Sequence, residues 1–404
     1  MGIGSISNGN NIKYKDQLIT GLMKEVAPIS ACYYKQIYYR LFLSAPVSYA
    51  HLPYVRFVGD NSNFYIKPRY SNTGSLEYSF DTTTWTTIQS GNETPTGKII
   101  YMRGKMDSAA LFTSGVSSNM WKFFNTSRVE IYGSLNRLLD YENDITTLED
   151  DCFSNMFLDC SNLTIPPELP ATTLGDNTYG YMFTSCTNLK KAPILPATTI
   201  GENCYAGMFS YCTSLKKPPA LPATSLGVGC YLNMFGNCIS LEEVPTLPAT
   251  ILQDNCYYMM FENCESLLNT PDLPALVATD NCYYGMFMGC TSLEINSATM
   301  LPATTLGNSC YREMFSGCTS TAGPPILPAL TLTDYCYAEM LAGCTNIKVQ
   351  TTQKGPDFIR VPWRIPYSTE DGTMGQGSLD DMLLNTGGAI TGTPSINTQY
   401  YWGN

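Results

Sequence analysis

The sequence predicts an α/β solenoid of about eight coils, preceded by a small all-β, sandwich-like domain. Three observations carry this expectation. A unit recurs every 26 residues through the second half. Two cysteines sit in fixed register inside that unit, and short alternating apolar runs fill part of the first half.

The unit is plain from Cys204 onward: CYAGMFSYCTSLKKPPALPATSLGVG, then CYLNMFGNCISLEEVPTLPATILQDN, then CYYMMFENCESLLNTPDLPALVATDN. One cysteine column runs Cys152, Cys204, Cys230, Cys256, Cys282, Cys310 and Cys336, with Thr178 filling its gap. The second runs from Cys160 through Cys186 to Cys344. The step is 28 from Cys282 to Cys310, a two-residue insertion between Leu293 and Leu301. A fixed period of this length with recurring Leu is the mark of a leucine-rich solenoid, in which no unit buries its apolar side without neighbours.

Within a coil, Tyr205, Met208, Phe209 and Cys212 fall at i, i+3, i+4 and i+7, which predicts a short helix. Asn203, Asn255 and Asn281 stand where an N-cap belongs. Leu215, Leu241, Leu267 and Leu293, each after a second cysteine, are expected to point inward from a strand of three or four residues. Prolines such as Pro219 and Pro222 cannot donate to a ladder, so the leg that follows is expected to be extended and outside the sheet. Eight coils stacked at about 4.8 Å make a rod of roughly 35–40 Å.

Sixteen cysteines need a chemistry. Eight residues of mostly helical chain separate the two cysteines of a coil by about 12 Å, too far for a disulfide. No CxxC pair and no histidine occurs in the array, which disfavours zinc. Two ladders of buried free thiols remain the expected arrangement, pointing to folding in a reducing compartment.

Met208–Phe209, Cys212–Thr213–Ser214–Leu215 and Leu221–Pro222–Ala223–Thr224 carry a pattern that resembles BspA-type leucine-rich repeats, over roughly residues 150–348. The departures are Thr321 and Ile347 in place of Leu and Leu341 in place of Phe. The resemblance implies a repeat fold of the kind found in gut Bacteroidetes and their phages, in proteins that face the exterior and bind host surfaces or partner proteins.

The rest of the chain divides into a docking segment (1–50), the β domain (51–148), the array (149–348), and a capping coil with tail (349–404). In the β domain, Tyr78 and Phe80 alternate with Glu77 and Ser79 as in a half-buried strand. Residues 133–143, GSLNRLLDYEN, are expected to form a short helix covering the first coil. Tyr33, Tyr34, Tyr38 and Tyr39 are candidate docking residues. In the tail, Met382–Leu383 echo Met340–Leu341, with Trp363, Tyr400 and Trp402 placed to cover an apolar end.

Composition narrows the function. Net charge is −11, with 23 basic against 34 acidic residues, which argues against nucleic acid and anionic membrane as partners. No apolar stretch of spanning length and no signal peptide pattern occurs, so no membrane insertion is expected. Only 14% of residues are charged, and 28 are Tyr, a composition suited to recognition. The single His51 stands beside Leu52–Pro53 and reads as a turn or core residue. Glu242–Glu243 and Asp380–Asp381 are sequence neighbours, whose side chains diverge on a strand and do not make a glycosidase dyad. Asp150–Asp151 reads as charge at the N-terminus of the first helix.

No catalytic residue, cofactor or metal is therefore expected. Lys190, Lys191, Lys216, Lys217, Glu242 and Glu243 form a candidate binding strip down successive coils. The expected function is that of a non-enzymatic phage virion protein, a fibre or capsid decoration. It would be assembled in the host cytoplasm and held by its N-terminal part on other virion proteins. Its array would meet a bacterial surface protein or glycan, with a homodimer or homotrimer as possible assemblies. A bacterial cell-surface adhesin and a surface-polysaccharide depolymerase are the alternatives.

Overall fold

The computed structural model describes residues 51–69, 74–106, 120–295, 299–321, 323–352 and 362–403. Residues 49–404 form one compact unit, and residues 1–48 a separate one that lies outside the described residues.

The first strands are β1 (Val55–Gly59), β2 (Tyr65–Lys67), β3 (Gly74–Ser79), β4 (Thr86–Ile88), β5 (Ile99–Met106), β6 (Lys122–Phe124) and β7 (Val129–Tyr132). In β1, β5 and β7 burial alternates with period two, putting Val55, Phe57, Ile100, Met102, Val129 and Ile131 inside. In β3 the expected alternation breaks: Ser79 is buried and Phe80 exposed. The Ser79 hydroxyl accepts from the Asp81 and Thr82 amides, so a turn begins where the strand pattern was expected to continue.

The main sheet runs β4-β3-β5-β1-β7-β9, where β9 (Leu163–Ile165) belongs to the first coil of the array and pairs parallel with β7. A separate ribbon pairs β2 with β6. Its Phe123 lies 6.1 Å from Phe57 and stacks 5.9 Å from Phe157 of the first coil. The sheet thus passes without interruption across residue 148. Of the helix expected over 133–143, a single 3-10 turn, Leu135–Leu138, is present. It crosses β5 at Gly104, where a side chain would fall on the Leu138 carbonyl.

The coils contain no α-helix among the described residues, which corrects the helical expectation. Consecutive coils bring their equivalent Phe rings to 5.5–5.7 Å. A helix is about 10 Å across with its side chains, so one helix per coil does not fit that step. The chain instead alternates its hydrogen bonds. Met208 and Cys212 donate three residues back along the coil, to Tyr205 and Phe209. Between them, Gly207, Phe209 and Tyr211 donate across to Leu232, Met234 and Gly236 of the next coil. Three registers take left-handed φ in every coil, as at Asn203, Asn233 and Asn237, and a fourth joins them in the first four coils, at Phe153, Tyr179, Tyr205 and Tyr231.

This revises the role of the asparagines. Asn203, Asn255 and Asn281 have φ of 51°, 60° and 53° and are not N-caps. Asn, Asp and Gly tolerate that region better than other residues. Burial of Tyr205, Met208, Phe209 and Cys212 is as expected, although no helix produces it.

Apart from β9, which begins at the inward Leu163 of the first coil, the parallel strands also sit elsewhere than expected. Leu215, Leu241, Leu267 and Leu293 are fully buried, but the segments around them are turns. The strands follow the proline leg and are two residues long: β8 (Thr147–Leu148), β10 (Thr173–Leu174), β11 (Thr199–Ile200), β12 (Val277–Ala278), β13 (Thr305–Leu306) and β14 (Thr331–Leu332). Most of the coil-to-coil bonding is done by the turn segments, so little strand is needed.

At the far end come β15 (Lys348–Gln350), β16 (Pro362–Arg364), β17 (Thr373–Met374) and β18 (Gln399–Gly403). β17 pairs parallel with β14, and residues 376–384 accept the amides of Tyr335, Tyr337, Glu339, Leu341 and Gly343. The segment therefore occupies the position of a further coil, with Met382 and Leu383 buried. β18 lies between β15 and β16, which buries Trp402, Tyr400 and Trp363; the Trp363 indole donates to the Pro325 carbonyl at 3.0 Å.

Candidate binding surfaces

The inward positions of the coils are committed to packing and bonding. Seven tyrosines from Tyr179 to Tyr337 stack at 5.2–6.0 Å. A parallel phenylalanine stack runs from Phe157 to Phe315, and Leu341 follows it.

All fifteen cysteines of the array are buried and unbridged. Their job is legible in the bonds they make. The second-column thiols of Cys186, Cys212, Cys238 and Cys264 donate to the carbonyls of Phe157, Phe183, Phe209 and Phe235, one coil back, at 3.1–3.2 Å. In the first column, Cys204 and Cys230 donate to Gly175 and Gly201 at 3.0 and 2.9 Å. Thr178, the exception in that column, donates its hydroxyl to Glu149 at 3.0 Å in the same register. The column therefore selects a small buried donor, which a hydroxyl supplies as well as a thiol does. Burial pushes these thiols up, to about 12 for Cys230 and Cys238.

Carboxylates at the turn into each coil are committed too. Asp150 accepts from the Asp176 amide at 2.9 Å, Asp176 from Glu202 and Asp280 from Asn308 at 2.7 Å. With no helix to follow, Asp150 is a rung between coils and not a capping charge, and Asp151 itself takes φ of 57°. His51 is exposed in a turn.

The outward rows are where chemistry changes from coil to coil. In the expected strip, Lys216 pairs with Glu242 and Lys217 with Glu243, both at 2.5 Å and all four exposed. Like neighbouring tiles of opposite sign, these pairs cancel locally. Lys190 and Lys191 are exposed beside them. Tyr33, Tyr34, Tyr38 and Tyr39 lie outside the described residues.

A second outward group was not anticipated. Tyr258 and Tyr284 stack at 4.8 Å, and the Arg312 guanidinium lies 5.7 Å from the Tyr284 ring. Tyr284 donates to Glu313 at 2.6 Å, and Arg312 to Glu339 at 2.8 Å. Partial burial and then the Glu313 bond hold the Tyr284 phenol up. Tyr and Arg, pre-ordered in this way, are the residue types that concentrate binding energy in interfaces. The signal was available in the sequence, because the three residues occupy one register in successive coils, including the 28-residue step.

Residues 132–224 and 208–322 match the family described as BspA type leucine rich repeat region, in six copies. No curated protein and no solved structure matched.

Proposed function

We propose that this chain, which carries BspA-type leucine-rich repeats over residues 132–322, is a non-enzymatic protein that displays the outward rows of its array to a partner protein or a bacterial surface. The observation that carries this reading is the contrast between the two sides of the coil. Inward columns repeat the same residue types, whereas one outward register reads Leu232, Tyr258, Tyr284 and Arg312. A scaffold whose interior is fixed and whose exterior varies by row is built for recognition. The carboxylates of the coil turns accept backbone amides and Glu242–Glu243 face lysines, which supports binding over the depolymerase alternative.

For the setting, we favour a phage virion, as a fibre or capsid decoration. Support comes from the thiol ladders: each donor works only while reduced, which suits folding in a host cytoplasm before release. Residues 1–50 would then hold the chain on other virion proteins. A bacterial cell-surface adhesin is the second reading, favoured by the repeat-family match itself.

Electron microscopy of intact particles and of the host, with antibody to residues 150–348, tests both. Label on virions is the expected result. Label confined to the bacterial envelope selects the adhesin. Absence of label from both surfaces overturns display.

A further inference from the structure

The face of the main sheet turned away from the core holds a charge without a partner. Alternation along β1, β5 and β7 puts Val55, Phe57, Ile100, Met102 and Ile131 inside, and so sends Arg56, Tyr101, Arg103, Glu130 and Tyr132 to the other face. Strand pairing sets Arg56 between Tyr101 on β5 and Tyr132 on β7. The Arg56 guanidinium lies 5.5 Å from the centre of the Tyr132 ring. Beside it, the Tyr54 and Tyr101 rings meet edge to face, 5.1 Å apart and at 74°. Burial and then the Tyr101 phenol raise the Tyr54 hydroxyl, and the Arg56 charge offsets part of that rise.

The neighbouring charges on this face are paired. Arg103 bonds Glu77 at 2.8 Å and is clamped between the rings of Trp85 and Tyr141, at 4.1 and 4.2 Å. Lys105 meets Asp140 at 2.9 Å. Glu130 accepts from Arg128 and, at 2.8 Å, from the Tyr132 hydroxyl. Arg56 forms no ion pair among the described residues, and its buried Nε–H has no acceptor. In a chain with 34 acidic and 23 basic residues, carboxylates are not scarce, yet none is set against it. A buried donor of this kind costs stability until an acceptor arrives.

We infer that Arg56, with Tyr54, Tyr101 and Tyr132, is a seat for a hexuronate, a sugar ring that carries one carboxylate. A guanidinium and a carboxylate match as two planar forks. In a hexuronate the carboxylate leaves the edge of a ring whose flat faces are C–H bonds. Such a face packs on an aromatic ring as other apolar surface does, while the edge meets Arg56. The corner between Tyr54 and Tyr101 supplies a floor and a wall of that size. An aspartate or glutamate of a protein partner would satisfy Arg56 on a thin methylene stem and leave the corner unfilled. The net charge of −11 favours a ligand with a single charge over a polyanion. The seat lies on the β domain, so it is separate from the outward rows of the array and independent of what those rows meet.

Isothermal titration calorimetry of the full chain with methyl glucuronide and methyl glucoside tests the inference, because the two sugars differ at one carboxylate. The glucuronide is expected to bind at least about 10-fold more tightly. Arg56→Met is expected to weaken glucuronide binding by about 10- to 100-fold and to leave glucoside binding unchanged. The same substitution deletes an unmet donor, so it should hold or raise the urea midpoint, and lost binding is then not lost folding. Arg56→Lys keeps the charge without the fork and should also bind more weakly. Tyr54→Ala removes one side of the corner and should weaken both sugars alike. Lys190→Met, which deletes an exposed charge on the array, should bind as the wild type does. A wild-type chain that binds both sugars equally, or neither, overturns the inference. So does an Arg56→Met variant that binds the glucuronide like wild type. Tighter binding of acetyl-aspartyl amide than of the glucuronide would assign the seat to a protein partner and overturn the saccharide.

Discussion

Raising the pH from 8 to 10 is expected to unfold the array while leaving every covalent bond intact. All fifteen thiols are buried, and burial lifts them from an ordinary value of 9.0, to about 12 in Cys160, Cys238, Cys290 and Cys344 and higher in others. In the unfolded chain they ionise near 9, so the folded state holds more protons between about pH 9 and 12. Stability is therefore complete only well below pH 9 and drains away as the pH climbs through that window. Each thiol forfeits on the order of half a kcal/mol at pH 9 and roughly one to two kcal/mol at pH 10. For fifteen, the loss is several kcal/mol at pH 9 and on the order of 20 kcal/mol at pH 10, against a total stability on the order of 5–15 kcal/mol. The midpoint should lie between pH 9 and 10. Urea titrations at a series of pH values, with a reductant present and tryptophan fluorescence as readout, measure this directly. Cys204→Thr with Cys230→Thr and Cys256→Thr removes three of the ionising groups and should shift the midpoint upward. A urea midpoint unchanged from pH 8 to pH 10 would refute the reasoning, because it would mean that the thiols are already exposed.

Substitutions at four positions probe the other contacts. Cys230→Ala deletes the donor to Gly201 and should cost about 1 kcal/mol more than Cys230→Thr in urea melts, since Thr178 shows that a hydroxyl serves in that column. Phe235→Ala opens the ring stack between Phe209 and Phe261 and should cost about 3–5 kcal/mol, with hydrogen-exchange protection lost first in the adjoining coils. Asn255→Thr separates the two accounts of that position: Thr is a good helix cap. In the left-handed conformation seen here it should cost about 1–2 kcal/mol, whereas Asn255→Gly should be tolerated. Lys216→Ala removes an exposed ion pair and should change stability by under about 1 kcal/mol, an effect that shrinks as salt is added.

The repeat period, its register and the inward Leu residues could be read from the chain because they depend on spacing alone. Buried Tyr205, Met208, Phe209 and Cys212 were legible for the same reason. The conformation between them was not, because the same residues line the inside of a nine-residue helix and of a segment alternating left- and right-handed turns. The decisive sign was present but was given another meaning: Asn, Asp or Gly recurs at three registers, as in Asn203, Asn233 and Asn237, where left-handed φ is required. Coil spacing also settles the matter, since rods stepping at 5.5–5.7 Å leave no room for helices. Thr178 likewise contained the function of its column, a donor and not a crosslink. The Tyr258, Tyr284 and Arg312 group stayed hidden because outward positions carry no apolar period. Their relation appears only when the coils are aligned.

That separation of inside from outside has a consequence for binding. Stability here resides in columns that run along the stack: the Phe and Tyr rings, the thiol donors and the Asp rungs. Each coil contributes one member to every column and touches only its neighbours. Outward side chains such as Tyr258, Lys190 or Ile251 belong to none of these columns, so replacing them leaves the spacing of the coils unchanged. Surface substitutions of that kind usually alter stability by no more than about 0.5 kcal/mol. A row can therefore be rewritten, from the paired charges of Lys216 and Glu242 to the uncharged Leu276 and Val277, without moving the scaffold that presents it. Loss of partner binding in a folded variant would then report the contact itself, whereas a change in any inward column would report the stack.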